Sequence, residues 1–457
     1  MSSTPAPRPL SVAELDLDAP DGPVLGFRPA PGAPAVVPGD VYALVRLRGR
    51  PAATVVGTVP AGEDPAEVLA ALARRRLAEA GRPGTDAERL AAARPPAPAP
   101  PTPPRASVVV ATRERPESLA RALDSLLAQD HPDFELIVVD NAPRTTGTHE
   151  LVTRKYADRA EHAARVRYVR EDTPGLATAH NTGLAAAEGA VVAFTDDDVI
   201  ADPRWLSALT APFAADPGLG CVTGLILPAR LGTPAQILLE SHGGFAKGFA
   251  PRLYDPAEPP ADEPLFPFTA GSFGSGANMA FRADALRRAG GFDPATGTGT
   301  AARGGDDLYA FVAVLSAGFR LRYTSEALVW HHHRDTWQDL RNQAYGYGAG
   351  LTAYLTATLV RSPRLLPALL ARLPRGLAYA RTMTAQRGET PEGGVPGEHG
   401  TQDHPWPASL SRLERRGMLY GPIGYAKARA QTCTRARAEA GAQARSQAPR
   451  GGSAVAR

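Results

Sequence analysis

Three consecutive aspartates, Asp196, Asp197 and Asp198, end the apolar run Ala190 to Phe194. Carboxylates clustered where a strand ends make a hard, anionic site, suited to a divalent cation that grips phosphate oxygens. A solvated acidic turn between strand and helix is the plain alternative, and the triplet alone does not decide between them. Two further acidic groups stand apart in sequence: Asp140, after the apolar run Phe134 to Val139, and Asp306-Asp307, behind Arg303-Gly304-Gly305. Such a set meets the needs of group transfer from a nucleotide. One carboxylate recognises base or ribose, one or two hold a metal that neutralises a leaving diphosphate, and one takes a proton from an attacking hydroxyl. At a helix start, one member of Asp306-Asp307 would be kept ionised by the helix N-terminus while like-charge repulsion raises the pKa of the other. Simple helix capping is the alternative there. His331, His332 and His333 follow an apolar strand. One of them could complete a metal site begun by carboxylates. All three could not, because neighbours on an extended chain point in opposite directions. A surface histidine cluster is the plainer reading.

These residues need elements to position them. From Ser107 the pattern alternates strand and helix: strands over 107–111, 134–139, 166–169 and 190–194, with helices over 116–128 and 177–187. Leu119, Ala122, Leu123, Leu126 and Leu127 share one face of the first helix. Buried strands joined by helices imply βαβ units and a parallel sheet. Polar residues then gather at the C-terminal strand ends: Thr112-Arg113-Glu114, Asp140 and the triplet. Ligands of open α/β sheets bind at that edge. This favours the functional reading, with Asp196 and Asp198 facing the site and Asp197 turned away. Beyond the triplet the pattern predicts helices over 203–213, 283–289 and 306–317, a Gly/Ser-rich loop at 271–276, and two short strands, Phe319 to Tyr323 and Ala327 to Trp330.

A chain of 457 residues exceeds one ordinary domain, and 45 Pro with 45 Gly point to long linkers or tails. A net charge of +3 gives no argument for a nucleic-acid partner, and none is expected. Two distant cysteines, Cys221 and Cys433, make neither a disulfide framework nor a zinc site and fit a reducing cytoplasm. The segment MSSTPAPRPL has no apolar core, and no apolar run reaches spanning length, so neither a signal peptide nor a transmembrane helix is expected. The expected organisation is a flexible N-terminus (1–35) and a small α+β module (36–92) with strands over 41–47 and 53–59 and a helix opened by Asp64-Pro65. A Pro-rich linker (93–105) follows, seven of the ten residues from Pro95 to Pro104 being proline. Then come the α/β domain (106–335), a basic helical extension (336–385), and a largely disordered tail (386–457) with a short helical piece near 408–430. No acidic residue lies between Asp339 and Glu389, while arginines from Arg341 to Arg387 alternate with leucines. Such a segment either lies on an anionic membrane surface or packs on the domain with a solvated basic face.

Six ordered segments resemble glycosyltransferase family 2, which has the GT-A fold: SVVVATRERPESLARALDSLLAQ from Ser107, FELIVVDNAP from Phe134, GLATAHNTGLAAAEGAVVAFTDDDV from Gly175, GSGANMAFRADALRRAGGFD from Gly274, GGDDLYAF from Gly304 and VWHHHR from Val329. The resemblance covers roughly residues 105–334. It implies an α/β nucleotide-diphospho-sugar transferase fold and a metal-dependent, inverting transfer of sugar from a UDP-, GDP- or dTDP-sugar to a carbohydrate, lipid or small-molecule hydroxyl. By resemblance Asp196 and Asp198 form a D-x-D motif, with Asp198 a ligand of Mn²⁺ or Mg²⁺ and Asp196 on metal or ribose. Asp140 matches the base-recognising acid, Thr112, Arg113 and Glu114 the first nucleotide loop, and Asn278 the loop lining the sugar pocket. Asp307, supported by Asp306, matches the general base, and His331 a further metal ligand, with His333 as the competing choice. Arg113 stands where many members have an aromatic residue, and Asp306 where many have Glu. The implied location is cytoplasmic, with peripheral membrane contact through 341–387. Two other classes remain: a sugar-phosphate nucleotidyltransferase, whose glycine-rich basic loop after the first strand is missing, and a non-catalytic sugar-binding scaffold, against which the intact acids argue.

Overall fold

The computed structural model describes residues 7–80, 103–157, 165–242, 244–372, 374 and 406–447. The N-terminal unit is a four-stranded sheet, β1 (Ser11–Leu17), β2 (Val24–Pro29), β3 (Gly39–Leu47) and β4 (Arg50–Val59), in the order β2-β1-β3-β4, followed by helix α1 (Pro65–Ala80). Two of its strands lie within the stretch expected to be flexible, so the 1–35 expectation is corrected: the module begins at Ser11. The reason is a period of two on both faces. Ala13, Leu15 and Leu17 of β1, with Val41, Ala43 and Val45 of β3, pack under Leu69, Ala73 and Leu77 of α1. Val12, Tyr42 and Leu44 face the other way, onto Leu225, Leu227, Leu328 and Trp330 of the following domain. A sheet buried on both faces reads as short mixed runs, and the surrounding Pro and Gly hid β1 and β2.

The second unit is a mixed α/β domain, as the sequence pattern requires. Its nine-stranded sheet holds β5 (Ala106–Thr112), β6 (Phe134–Asn141), β7 (Val166–Glu171), β8 (Val191–Asp196), β9 (Val199–Ala201), β10 (Leu219–Pro228), β11 (Arg252–Tyr254), β12 (Met279–Arg282) and β13 (Arg320–His331). The order is β11-β13-β10-β12-β8-β5-β6-β7, with β9 paired to β13. β5, β6, β7 and β8 are parallel, and β12 runs antiparallel between β8 and β10. Helices α2 (Pro116–Leu127), α3 (Gly147–Leu151), α4 (Leu176–Ala186), α5 (Trp205–Ala215), α6 (Pro234–Ser241), α7 (Ala283–Arg288) and α8 (Asp306–Ser316) accompany it. The two short strands expected between Phe319 and Trp330 are one strand, β13, whose register against β10 slips where Gly224 faces Thr324 but Leu225 faces Leu328.

Helix α9 (Trp337–Arg361) starts at Thr336, whose hydroxyl caps Asp339 N–H, and packs along α10 (Ala408–Gln447). The tail expectation is corrected here, because residues 430–447 are helical and the helical piece is 40 residues long. Its sequence has no broad apolar stripe. The helices approach instead through glycine: a Cβ on Gly348 would lie 1.9 Å from the Glu414 carbonyl oxygen. Most of the Pro-rich linker, the stretch 375–405 and the end after Gln447 lie outside the described residues, so those parts of the expected extension and tail do too.

Candidate active site

Strand register brings the acids together. Across the parallel sheet, Thr112 of β5 stands beside Asp140 of β6, and Ala111 beside Asp196 of β8. The chain then turns back as β9, pairing Val199 with His331 at the end of β13. That pairing, with His332 N–H donating to the Asp198 carbonyl at 2.9 Å, delivers His331 to the triplet. One ligand atom from each of Asp196, Asp198 and His331 lies within 4.8 Å of the others. His331 Nε2 is 3.4 Å from Asp198 Oδ1, which is buried and accepts no hydrogen bond.

The triplet divides by environment. Asp197 turns inward, accepting from the Thr112 hydroxyl at 2.7 Å and pairing with Arg115. Burial raises its pKa, and Arg115 offsets part of that. Burial works against the charge of Asp198 as well, but the Arg115 and Arg334 guanidinium groups help to outweigh it and hold the pKa low. Asp196 keeps partial exposure, yet desolvation and the charges of Asp198, Asp197, Asp306 and Asp307 push its pKa well up. Burial lowers His331 to about 4, leaving a neutral imidazole. Two carboxylates, one short of a compensating cation, and one neutral imidazole form a donor set that suits a divalent ion of the Mn²⁺ or Mg²⁺ type.

Asp306 and Asp307 open α8, where Gly305 takes a left-handed φ of 86°. A side chain at Gly305 would meet the Gly350 carbonyl of α9 at 2.5 Å. Asp307 Oδ2 accepts from Gly276 N–H and Oδ1 from Leu308 N–H, both at 2.8 Å. Burial and the adjacent Asp306 nevertheless raise its pKa to about 6. Asp306 is buried, its Oδ2 lying 3.2 Å from His180 Nδ1 on α4.

Among the expected nucleotide residues, Asp140 sits 1% exposed at the end of β6. Tyr168 donates to its Oδ2 at 2.9 Å, while Oδ1 has no partner. Arg113 is partly exposed on the loop after β5. Glu114, at a φ of 57°, accepts from Arg144 and Thr145 N–H and so clamps the loop after β6. Thr112 spends its hydroxyl on Asp197. Asn278 is a correction. It is fully buried, donates to the Leu225 and Ala327 carbonyls at 2.9 and 2.8 Å, and accepts from the Trp205 indole at 2.9 Å. Those carbonyls flank the β10–β13 register slip, and the Asn278 side chain is spent on them instead of lining a sugar pocket.

Arg115, His180 and Lys247 were missed. Arg115 pairs with both Asp197 and Asp198, the latter at 3.0 Å. Lys247 is solvent-exposed and stands close enough to Asp307 for the two charges to interact. The one available signal was the charge problem itself: three adjacent carboxylates on a buried strand end require a local cation.

Two family models match this chain. Glycosyl transferase family 2 matches residues 107–288, and glycosyl transferase family group 2 matches residues 265–387. Residues 107–288 form a family 2 glycosyltransferase domain. The chain is 26% identical over 199 residues to a glucosyl-dolichyl phosphate glucuronosyltransferase of Haloferax volcanii, covering 42% of this chain and 57% of the relative. It is 32% identical over 178 residues to a pre-mycofactocin glycosyltransferase of Mycobacterium tuberculosis, covering 38% of this chain and 34% of the relative. It thus spans less than two thirds of the length of these relatives. Among solved structures, a mannosyltransferase from Pyrobaculum calidifontis in complex with GDP-Man and Mn²⁺ superimposes with a TM-score of 0.43 at 21% identity, over 76% of this chain and 92% of that one.

Proposed function

We propose that this chain is a metal-dependent, inverting glycosyltransferase that moves a sugar from a nucleoside-diphosphate sugar to an acceptor hydroxyl. The observation that carries this reading is the convergence of Asp196, Asp198 and His331 within 4.8 Å at the C-terminal strand edge. A separate acid with a raised pKa, Asp307, stands close enough for its charge to act on Asp196. Asp140, whose Oδ1 has no hydrogen-bond partner, would accept from the base, and the partly exposed Arg113 guanidinium would stack on it. A Mn²⁺ or Mg²⁺ held by Asp196, Asp198 and His331 would supply positive charge to the leaving diphosphate. Asp307 takes the proton of the acceptor hydroxyl as that oxygen attacks the anomeric carbon, and Asp306 keeps its pKa raised. No covalent enzyme intermediate is required. The acceptor is a carbohydrate, lipid or small-molecule hydroxyl. Among the described residues no helix is long and apolar enough to cross a membrane. Exposed Leu366 and Leu370 beside Arg364 and Arg372 support peripheral contact of the extension with an anionic surface.

The test is a screen of nucleotide sugars with Mn²⁺, read by chromatography of the released nucleotide. Release of nucleoside diphosphate with one donor is the expected result. Pyrophosphate release would instead assign nucleotidyl transfer. Absence of any metal-dependent nucleotide binding would leave a scaffold.

A further inference from the structure

His331 and His333, two residues apart on extended chain, present their rings on the same side. Their Nδ1 atoms are 2.9 Å apart, and His333 Nε2 lies 3.1 Å from Glu240 Oε2 on α6. Beside the same carboxylate sits the hydroxyl of Tyr42, from β3 of the N-terminal module. Glu240, His333 and Tyr42 are all buried.

The proton positions follow in order. A carboxylate only accepts, so His333 Nε2 carries the hydrogen. In a neutral ring its Nδ1 is then the acceptor, and His331 Nδ1 must donate to it. This leaves the lone pair of His331 on Nε2, the nitrogen that faces Asp198. The tautomer needed at the metal site is therefore written by groups on α6 and in the N-terminal module.

We propose that His333 and Glu240, backed by Tyr42, are positioning residues that hold His331 in its ligand tautomer and make the N-terminal module a structural part of the metal site. Metal-bound histidines are commonly oriented by a carboxylate on the second ring nitrogen. Here one further imidazole is inserted, and the carboxylate is reached through it. The β1–β3 face that packs on Leu225, Leu328 and Trp330 fixes Tyr42 against Glu240.

The inference rests on the metal-site reading above, and the test separates the two. The full chain is titrated with Mn²⁺ alone, free ion being counted by electron paramagnetic resonance, for the wild type and for His331→Ala, His333→Leu, Glu240→Leu, Glu240→Gln and Tyr42→Phe. His333→Leu and Glu240→Leu should weaken Mn²⁺ binding about 10–100-fold. Glu240→Gln, which can still accept from His333, should recover most of that loss, and Tyr42→Phe should give a smaller one. Unchanged affinity in both leucine variants, with loss in His331→Ala, overturns the relay and leaves the metal site standing. Unchanged affinity in His331→Ala overturns both. Should the leucine variants not fold, ¹⁵N-histidine spectra of the metal-free wild type decide: hydrogen on His331 Nδ1 is required, and hydrogen on Nε2 refutes the relay.

Discussion

Replacement of Asp307 by Asn tests the base assignment on two independent scales. The carboxyl is held at about 6 rather than 3.8 by burial and by Asp306, against the pull of two backbone N–H donors. A base must be ionised, so kcat/KM should rise with pH through a limb near 6 in the free enzyme. At pH 5 only about a tenth of the molecules would carry the ionised base, and activity should be about tenfold below the plateau. Asp306→Asn removes the like charge next door and should move the limb to lower pH. Asp307→Asn should lower kcat by roughly 10²–10⁴-fold with donor binding retained. The same burial has a cost in stability. The unfolded chain releases this proton near 3.8 and the folded chain near 6, so the fold binds more protons between those values and stability falls as pH rises through them. Above that window the penalty is complete, at most about 3 kcal/mol, and Asp307→Asn removes it. Asn also turns its amide NH2 toward one of the two backbone N–H donors, a cost present at every pH, so the inactive variant should melt higher relative to wild type at pH 7.5 than it does at pH 3.5. Near-normal turnover, or a limb unmoved by Asp306→Asn, would refute the reasoning.

Asn278→Ala should destabilise the fold by roughly 3–5 kcal/mol, because two buried carbonyls and the Trp205 N–H lose their partner at about 1–3 kcal/mol each. Chemical denaturation measures this, and a raised donor KM at unchanged stability would restore Asn278 to the sugar pocket. Arg46 of β3 donates to Glu14 and to Asp202 at 2.7 Å, and both carboxylates are buried. Arg46→Ala strands the buried Asp202 and leaves Glu14 with Arg28 alone, so urea unfolding should show a loss of about 3–5 kcal/mol. An unchanged midpoint would mean that the ion pair does not hold the module to the domain.

The clustering of the acids was legible because chemistry restricts their type and the sheet restricts their place. Asp140 and Asp196 each end an apolar run, and parallel register carries two such ends to one edge without further information. Asp197 does turn away from Asp196, but β8 ends at Asp196 and the next two residues form a turn, so Thr112 and Arg115 rather than strand alternation hold it inward. Asn278 was expected at the sugar pocket from the resemblance of residues 276–279 to a family loop, whereas the structure buries its side chain. What decided its role was a register slip between β10 and β13, two strands more than 40 residues to either side of it, as the separations of 53 and 49 residues to its carbonyl partners show.

The partners of the acids were illegible on different grounds. Arg115 reaches Asp197 across 82 residues, and His333 reaches Glu240 across 93. No spacing rule links such pairs, and each role could be filled by several residue types on several elements. The N-terminal module shows where that limit falls. Its sheet could be half read from alternation, but its bearing on the site could not, because it acts through tertiary contacts alone. Arg46 fixes the module to Asp202, just beyond β9, and Tyr42 abuts Glu240, behind the histidines. Both contacts lie next to segments that carry the proposed metal ligands: β9 continues from Asp198, and Glu240 backs His333 and through it His331. The module is thereby set against both arms of the proposed metal site, so its loss should be felt first in metal binding and only then in turnover.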